Sequence, residues 1–285
     1  MLFPWNKYKE LPVGRRNTLQ VFIITECNLH CEGCFARSIM KGTSFISLEE
    51  YSSAVKNFIA RGGEQINILG GEPLLHPNLA GILDINRQQK LKTTIYTNGY
   101  HLNKFDKKFF DGIKLRVSLY CKTGGTKSTA SIPKTNIPIE VCFMVSANTT
   151  LNELLETANI VETEHNCKVF FISSIRELDN PNKEFFEDTP LCMNLLEYKK
   201  LVHDFLRQCN ENMEIHISKR GVFESTINLA ENKCRFSNYF IGGKIIQCPY
   251  DVINAKFQPG YAFGKRNCQQ NNTCLMSKIA VKRKA

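Results

Sequence analysis

No stretch of this 285-residue chain approaches the roughly 20 consecutive apolar residues that a membrane-spanning helix needs. The opening run, MLFPWNKYKELPVGRRN, lacks the apolar core of a secretory signal. Both absences predict a cytoplasmic protein with no membrane partner. Internal repeats and low-complexity tracts are also absent. So is a basic stripe interleaved with aromatics, the footprint of a nucleic-acid groove, although the formal charge is +10. The excess is spread out, with a dense cluster only at residues 278–284 and a shorter one at 104–108. That distribution predicts a basic surface with a charged tail, and nucleic acid is not an expected partner. Without an export signal, a disulfide scaffold is excluded too.

What the chain does have is cysteine, 12 in all. Seven fall in two groups, one toward each end, and Cys121, Cys142, Cys167, Cys192 and Cys209 are scattered singly. The bland role for the scattered five is that of small buried apolar side chains. Grouped cysteines in a reducing compartment hold metal or do redox chemistry. A hydrophobic content of 42% is ordinary for a globular protein. The length suits one large α/β domain, or a core with an appendage.

The first half alternates strand and helix patterns. Strands are predicted at 19–25, 65–69, 92–96, 114–120, 137–146 and 168–173. Helices are predicted at 48–61, 78–90, 105–111 and 151–165. Ser47 with Glu50 three residues on forms a capping box for the first helix. Such alternation implies parallel βαβ units. Six strands suit a partial (β/α)6 barrel, whose site lies at the C-terminal strand ends. The rhythm breaks after residue 176. Residues 180–190 read as a linker or lid, 195–208 as an amphipathic helix and 214–218 as a strand. Beyond residue 221 the chain is irregular and rich in cysteine, asparagine and glycine.

The first cysteine group is Cys27, Cys31 and Cys34, spaced C-x3-C-x2-C just after the first strand. Three thiolates can hold three irons of a [4Fe–4S] cluster and leave the fourth open to bind a small molecule. A zinc site, with His30 as the fourth ligand, is the alternative. Zinc usually takes paired C-x2-C halves, which this spacing does not supply.

Together with Gly70-Gly71-Glu72-Pro73 after the second strand, and Thr97-Asn98-Gly99 after the third, this group resembles the radical S-adenosylmethionine superfamily. The resemblance covers residues 19–176. It implies that the open iron chelates the amino and carboxylate groups of S-adenosylmethionine. It also implies reductive cleavage to a 5′-deoxyadenosyl radical that takes a substrate hydrogen atom. Gly70, Gly71 and Glu72 would bind the methionine end, with Asn98 near the cofactor and Ser118 at the ribose. One departure is Gly33, which stands where the family often has an aromatic contact to adenine; Phe35 follows. An electron donor such as flavodoxin or ferredoxin is implied as a partner.

The second group is Cys234, Cys248, Cys268 and Cys274, around a glycine-rich hairpin with Ile245 and Ile246 on its second strand. It resembles the twitch or shortened SPASM extension of the same superfamily and implies one auxiliary [4Fe–4S] cluster. A structural zinc on the same thiolates is the bland alternative. Such a cluster could accept an electron from an oxidised substrate radical, or merely staple the segment.

Weaker features complete the set. Residues 122–128 hint at a phosphate loop, but Thr126 stands where the Walker pattern needs glycine. Cys121, Tyr250 and Asp251 are candidate catalytic residues, and Arg176 and Asp179 candidate substrate contacts; a core or surface role is the bland alternative for each.

The expected fold is α/β, a partial (β/α)6 barrel with a small cysteine-rich C-terminal subdomain. The expected divisions are an N-terminal extension at 1–18, the core at 19–176, a completing helix and strand at 177–220, and the auxiliary subdomain at 221–285. The expected function is a radical S-adenosylmethionine oxidoreductase or maturase. The expected substrate is a peptide or protein side chain. The alternatives are a small metabolite such as a sugar, aminocyclitol or phosphorylated compound, and a non-catalytic metal-binding redox sensor. The short run before the first strand predicts no fused leader-peptide-binding domain, which slightly favours the metabolite.

Overall fold

The computed structural model describes residues 8–11, 17–31, 34, 42–120, 132–165, 167–175, 191–210, 212–218, 233–234, 236–246, 266–267 and 278–281. Its centre is a run of parallel strands: β2 (Thr18–Phe22), β3 (Gln65–Leu69), β4 (Lys92–Thr97), β5 (Ile113–Tyr120), β6 (Glu140–Val145), β7 (Val169–Ser174) and β8 (Glu214–Ser218). Among the described residues, four helices lie in the connections: α1 (Leu48–Ile59), α2 (Leu79–Gln88), α3 (Leu151–His165) and α4 (Leu195–Gln208). The alternation places one side of each strand against the helices.

Strand β5 shows why. Leu115, Val117 and Leu119 are buried, while Lys114, Arg116 and Ser118 alternate with them. Period two sends the two sets to opposite faces. The apolar set joins Tyr51, Val55 and Phe58 of α1, Leu154 and Val161 of α3, and Tyr198 and Phe205 of α4 in one core. The polar set faces the other way, into the concave side of the sheet. Strands β6 and β7 repeat the pattern, with Val141, Phe143, Phe170 and Ile172 in the core.

The sheet extends further than the sequence rhythm implies. Strand β10 (Phe236–Phe240) pairs in parallel with β2, making eight parallel strands, and β11 (Lys244–Ile246) turns back antiparallel beside β10. Part of the cysteine-rich C-terminal segment thus lies in the main sheet rather than wholly in a separate cap. At the far edge β13 (Lys278–Val281) pairs antiparallel with β8, and β1 (Tyr8–Leu11) with β13. The start of the expected charged tail is therefore a strand. An open edge such as β8 offers unpaired backbone groups, and a short run with β-branched residues can satisfy them. A two-stranded pair, β9 (Lys233–Cys234) with β12 (Arg266–Asn267), stands outside the main sheet.

Two local expectations are corrected. The short helix expected at residues 105–111 is a 3-10 helix confined to Lys107–Phe110; Phe105, Phe109 and Phe110 pack there at tilted and edge-on angles. Ser47 does cap α1, accepting from Glu50 N at 3.1 Å. The Glu50 carboxylate, however, does not close the capping box; it accepts hydrogen bonds from the β10–β11 hairpin. No helix among the described residues is long and apolar enough to cross a membrane.

Candidate active site

The cysteine loop springs from the C-terminal end of β2. Its base is pinned by Thr25, whose N–H donates to Ser44 O at 2.9 Å and whose Oγ1 accepts from Ser44 N at 2.9 Å. Ile23 and Ile24, just past β2, are buried, and Ile24 bridges to Phe45. Cys27, Cys31 and Cys34 are all half-buried, and none is in a disulfide. Cys34 N donates to Cys31 O at 3.4 Å. Cys27 Sγ accepts from Leu29 N at 3.4 Å. Burial raises the Cys27 thiol above its ordinary pKa, and the Glu72 carboxylate adds to the rise against the Leu29 hydrogen bond.

The second motif packs directly under this loop. Gly71 N donates to Ile24 O and Glu72 N to Glu26 O, both at 2.8 Å. A Cβ on Gly71 would stand 2.0 Å from Glu26 O, and one on Gly70 would stand 2.7 Å from Ile24 O. The two glycines therefore admit the backbone of the cysteine loop itself. The resemblance implied only that these glycines bind the methionine end of the cofactor, not that they seat the loop.

Glu72 is fully buried and ties three segments together. Its Oε1 accepts from Leu74 N at 3.0 Å and from Thr97 Oγ1 at 2.6 Å. Its Oε2 accepts from Asn98 N at 2.7 Å. Asn98 then reaches into the cysteine loop, donating Nδ2 to Asn28 Oδ1 at 2.7 Å. Gly99, at φ 75°, lets the chain turn so that its N–H meets Thr97 Oγ1 at 2.9 Å. Thr97 stood in the sequence only as part of the Thr97-Asn98-Gly99 strand end, and Asn28 was not singled out at all, because only the strand register brings them here.

The concave face carries a second network. Arg116 donates Nε and Nη2 to Glu140 Oε2 at 3.1 and 2.6 Å, and Nη1 to Tyr96 Oη at 2.8 Å. Its guanidinium lies 3.8 Å from the Phe171 ring centre. Phe171 meets His216 edge-on at 4.4 Å, and His216 Nε2 is 2.6 Å from Glu214 Oε1. Burial opposes ionisation of Glu140, but the Arg116 and Lys114 charges outweigh it and hold its carboxyl below the ordinary range. A depressed carboxyl adds stability above the unfolded value, and that stability is lost as pH falls through the folded value. Arg116 and Glu140 side chains are only 17% and 16% exposed. Arg116→Met should therefore cost about 3 kcal/mol, read from the urea midpoint, because it leaves a largely shielded carboxylate with only the exposed Lys114 as its charged partner. Adding Glu140→Leu should return more than half of that loss.

Between network and loop lies an apolar floor. Phe22 and Leu69 are buried, with Cys34, Tyr96 and Phe240 packed against them. Phe22 and Phe240 stack at 4.5 Å and 17°. Ser118 sits half-buried on β5, in register with Cys142 of β6. Cys142 Sγ is 3.5 Å from Ser173 Oγ. Cys167, Cys192 and Cys209 are buried, as expected of core cysteines.

The donor set suits a cluster. Three cysteines outside any disulfide share one pinned loop, over an apolar floor and with an N–H directed at one sulfur, a bond that tunes such clusters. Among the described residues no three His, Cys, Asp or Glu side chains converge on a point that one metal ion could occupy. Of the auxiliary set, Cys234 lies on β9, its backbone opposite Arg266. Cys248, Cys268 and Cys274 lie outside the described residues, as do Cys121, Tyr250, Asp251, Arg176, Asp179, Gly33, Phe35 and the 122–128 loop.

Residues 21–127 match the family model for the radical SAM superfamily. The GTP 3′,8-cyclase of Synechocystis sp. is 33% identical over 108 residues, which cover 36% of this chain and 33% of that protein. This chain thus spans about a third of the length of the curated relatives it matches. The fold is similar to Streptococcus suis SuiB bound to precursor peptide SuiA, with TM-score 0.64 and 15% identity over 88% of this chain and 63% of that one. It is also similar to native anSMEcpe with bound AdoMet, with TM-score 0.59 and 16% identity over 84% of this chain and 76% of that one.

Proposed function

We propose that this chain, whose residues 21–127 match the radical SAM superfamily model, is an enzyme that cleaves S-adenosylmethionine reductively and takes a hydrogen atom from its substrate. Support comes from the packing of the C-x3-C-x2-C loop directly on the Gly70–Gly71–Glu72 strand end, with Glu72 joining both to β4. Cys27, Cys31 and Cys34 would hold a [4Fe–4S] cluster, which supplies one electron to the bound sulfonium. The rest of the work falls to the protein. Glu72 locks the loop and two strand ends in one arrangement, and its charge favours an ammonium group beside the strand end. Phe22, Leu69 and Phe240 keep water from beneath Cys34. Ser118, on the concave face, would meet a polar group of cofactor or substrate. A flavodoxin or ferredoxin would deliver the electron.

The proposed substrate is a small polar metabolite, a reversal of the order that the sequence suggested. The 33% identity to a GTP 3′,8-cyclase favours it. So does the concave face, where Ser118, Ser173, Arg116 and Glu140 are half-buried rather than packed away. Similarity in fold to SuiB with its bound precursor peptide favours the second reading, a peptide substrate.

An auxiliary [4Fe–4S] cluster on Cys234, Cys248, Cys268 and Cys274 belongs to the proposal. The pairing of Cys234 with Arg266 supports it, because it sets Cys234 opposite a position two residues before Cys268. Anaerobic reconstitution, reduction and addition of S-adenosylmethionine should release 5′-deoxyadenosine, with about eight irons per chain. No 5′-deoxyadenosine from protein with its cluster spectroscopically intact would refute the enzyme. About four irons, or zinc in place of the second four, would refute the auxiliary cluster.

A further inference from the structure

One carboxylate joins the first helix to the C-terminal hairpin, and neither cluster motif includes it. Glu50, in the first turn of α1, accepts through Oε1 from Tyr239 Oη at 3.0 Å, Gly242 N at 2.8 Å and Gly243 N at 3.2 Å. Its donors are 189 to 193 residues away in sequence. Gly242 and Gly243 have φ of 81° and 77°, and a Cβ on either would meet nothing within 4 Å. Space therefore does not demand glycine there. The backbone conformation does, because it turns two successive N–H groups toward one oxygen. The same turn follows Phe240, which stacks on Phe22 beside Cys34. Strand β10 runs in parallel register with β2, from Phe236 opposite Thr18 to Tyr239 opposite Val21. Strand β2 leads straight into the cysteine loop.

We infer that Glu50 is a positioning residue: its carboxylate latches the β10–β11 turn onto α1 and so holds Phe240 as a wall of the Cys27–Cys31–Cys34 site. The latch couples the C-terminal segment to the cysteine loop without touching either set of cysteines. It predicts that loosening the turn opens the triad cluster to oxygen and water from the Phe22 side. The part of this inference that concerns a cluster rests on the proposed function; the latch itself does not.

The test compares the full-length reconstituted protein with Glu50→Ala and Glu50→Gln. Glu50→Ala should speed amide exchange across residues 236–246 by about tenfold while α3 and α4 stay protected. It should also speed bleaching of the cluster absorbance in air. Glu50→Gln keeps a carbonyl oxygen for the same donors and should restore most of the protection. A merely structural role for Glu50 would lower protection evenly over the sheet and would gain little from glutamine. Unchanged exchange in the hairpin, or an even loss, overturns the latch. If Glu50→Ala does not fold, Gly242→Ala loosens the same turn from the other side, and the same local loss is expected. Wild-type protein that takes up no iron would sink the proposed function, while the exchange data would still decide the latch.

Discussion

Replacing Gly71 with alanine should unseat the cysteine loop and abolish iron uptake at the triad. The new Cβ would stand 2.0 Å from Glu26 O, 2.4 Å from Glu26 C and 2.8 Å from Thr25 O. All three are backbone atoms, so no side chain can swing aside. Neither strand can retreat freely, because Gly71 N is bonded to Ile24 O and Glu72 N to Glu26 O. Overpacking a well-filled site typically costs 1–3 kcal/mol, and a backbone clash belongs at the upper end, about 3 kcal/mol. Urea unfolding reads the stability, and iron per chain reads the loop. Gly70→Ala should be milder, since one of its close contacts, at 2.9 Å, is the Ile24 side chain. A Gly71→Ala protein with normal stability and iron would show that the loop does not pack as described.

Replacing Glu72 with alanine should be comparably severe for a different reason. The side chain is fully buried and satisfies the N–H of Leu74, the hydroxyl of Thr97 and the N–H of Asn98. Truncation strands these donors, at about 1–3 kcal/mol for each that stays buried and unmet. Partial relaxation leaves about 3–4 kcal/mol as the expected total. Glu72→Gln should recover only part, because its NH2 must face at least one donor. Loss of the tie to β4 should also free Asn98 from Asn28, so the cysteine loop should lose amide protection first. Exchange that stays slow in residues 25–31 of Glu72→Ala would contradict this order.

Much of the fold can be read from local pattern. The alternation of Leu115, Val117 and Leu119 with polar neighbours is a strand signature that needs no partner to be seen. Helices α3 and α4 and strand β3 fall on the predicted residues, because their apolar spacing is regular and their ends carry clear signals. Residues 19–25 illustrate the limit. The strand ends at Phe22, although Ile23 and Ile24 continue the apolar run. The chain there keeps backbone bonds to the β3 side, from Ile23 N to Leu69 O and from Gly71 N to Ile24 O, and takes a second partner in Ser44 as it opens into the cysteine loop, which propensity does not decide.

The C-terminal segment was less legible still. Nothing in the run from Phe236 to Phe240 announces a parallel partner more than 200 residues away in sequence. A capping-box glutamate also has an ordinary local use, and only the folded chain offers Glu50 three better donors. Arg116 and Glu140 likewise stand 24 residues apart, and strand register alone makes them partners.

The triad spacing, the glycine pair with its glutamate and the βαβ rhythm are properties of the sequence alone. They carry chemical identity and periodicity, both of which survive without coordinates. What tertiary structure decided is who meets whom. It made the glycines a seat for the cysteine loop and Glu72 a tie between strand ends. It also placed the C-terminal hairpin as an added edge of the sheet beside the triad. These are contacts between distant segments, set by strand register and by the demand that buried polar groups find partners.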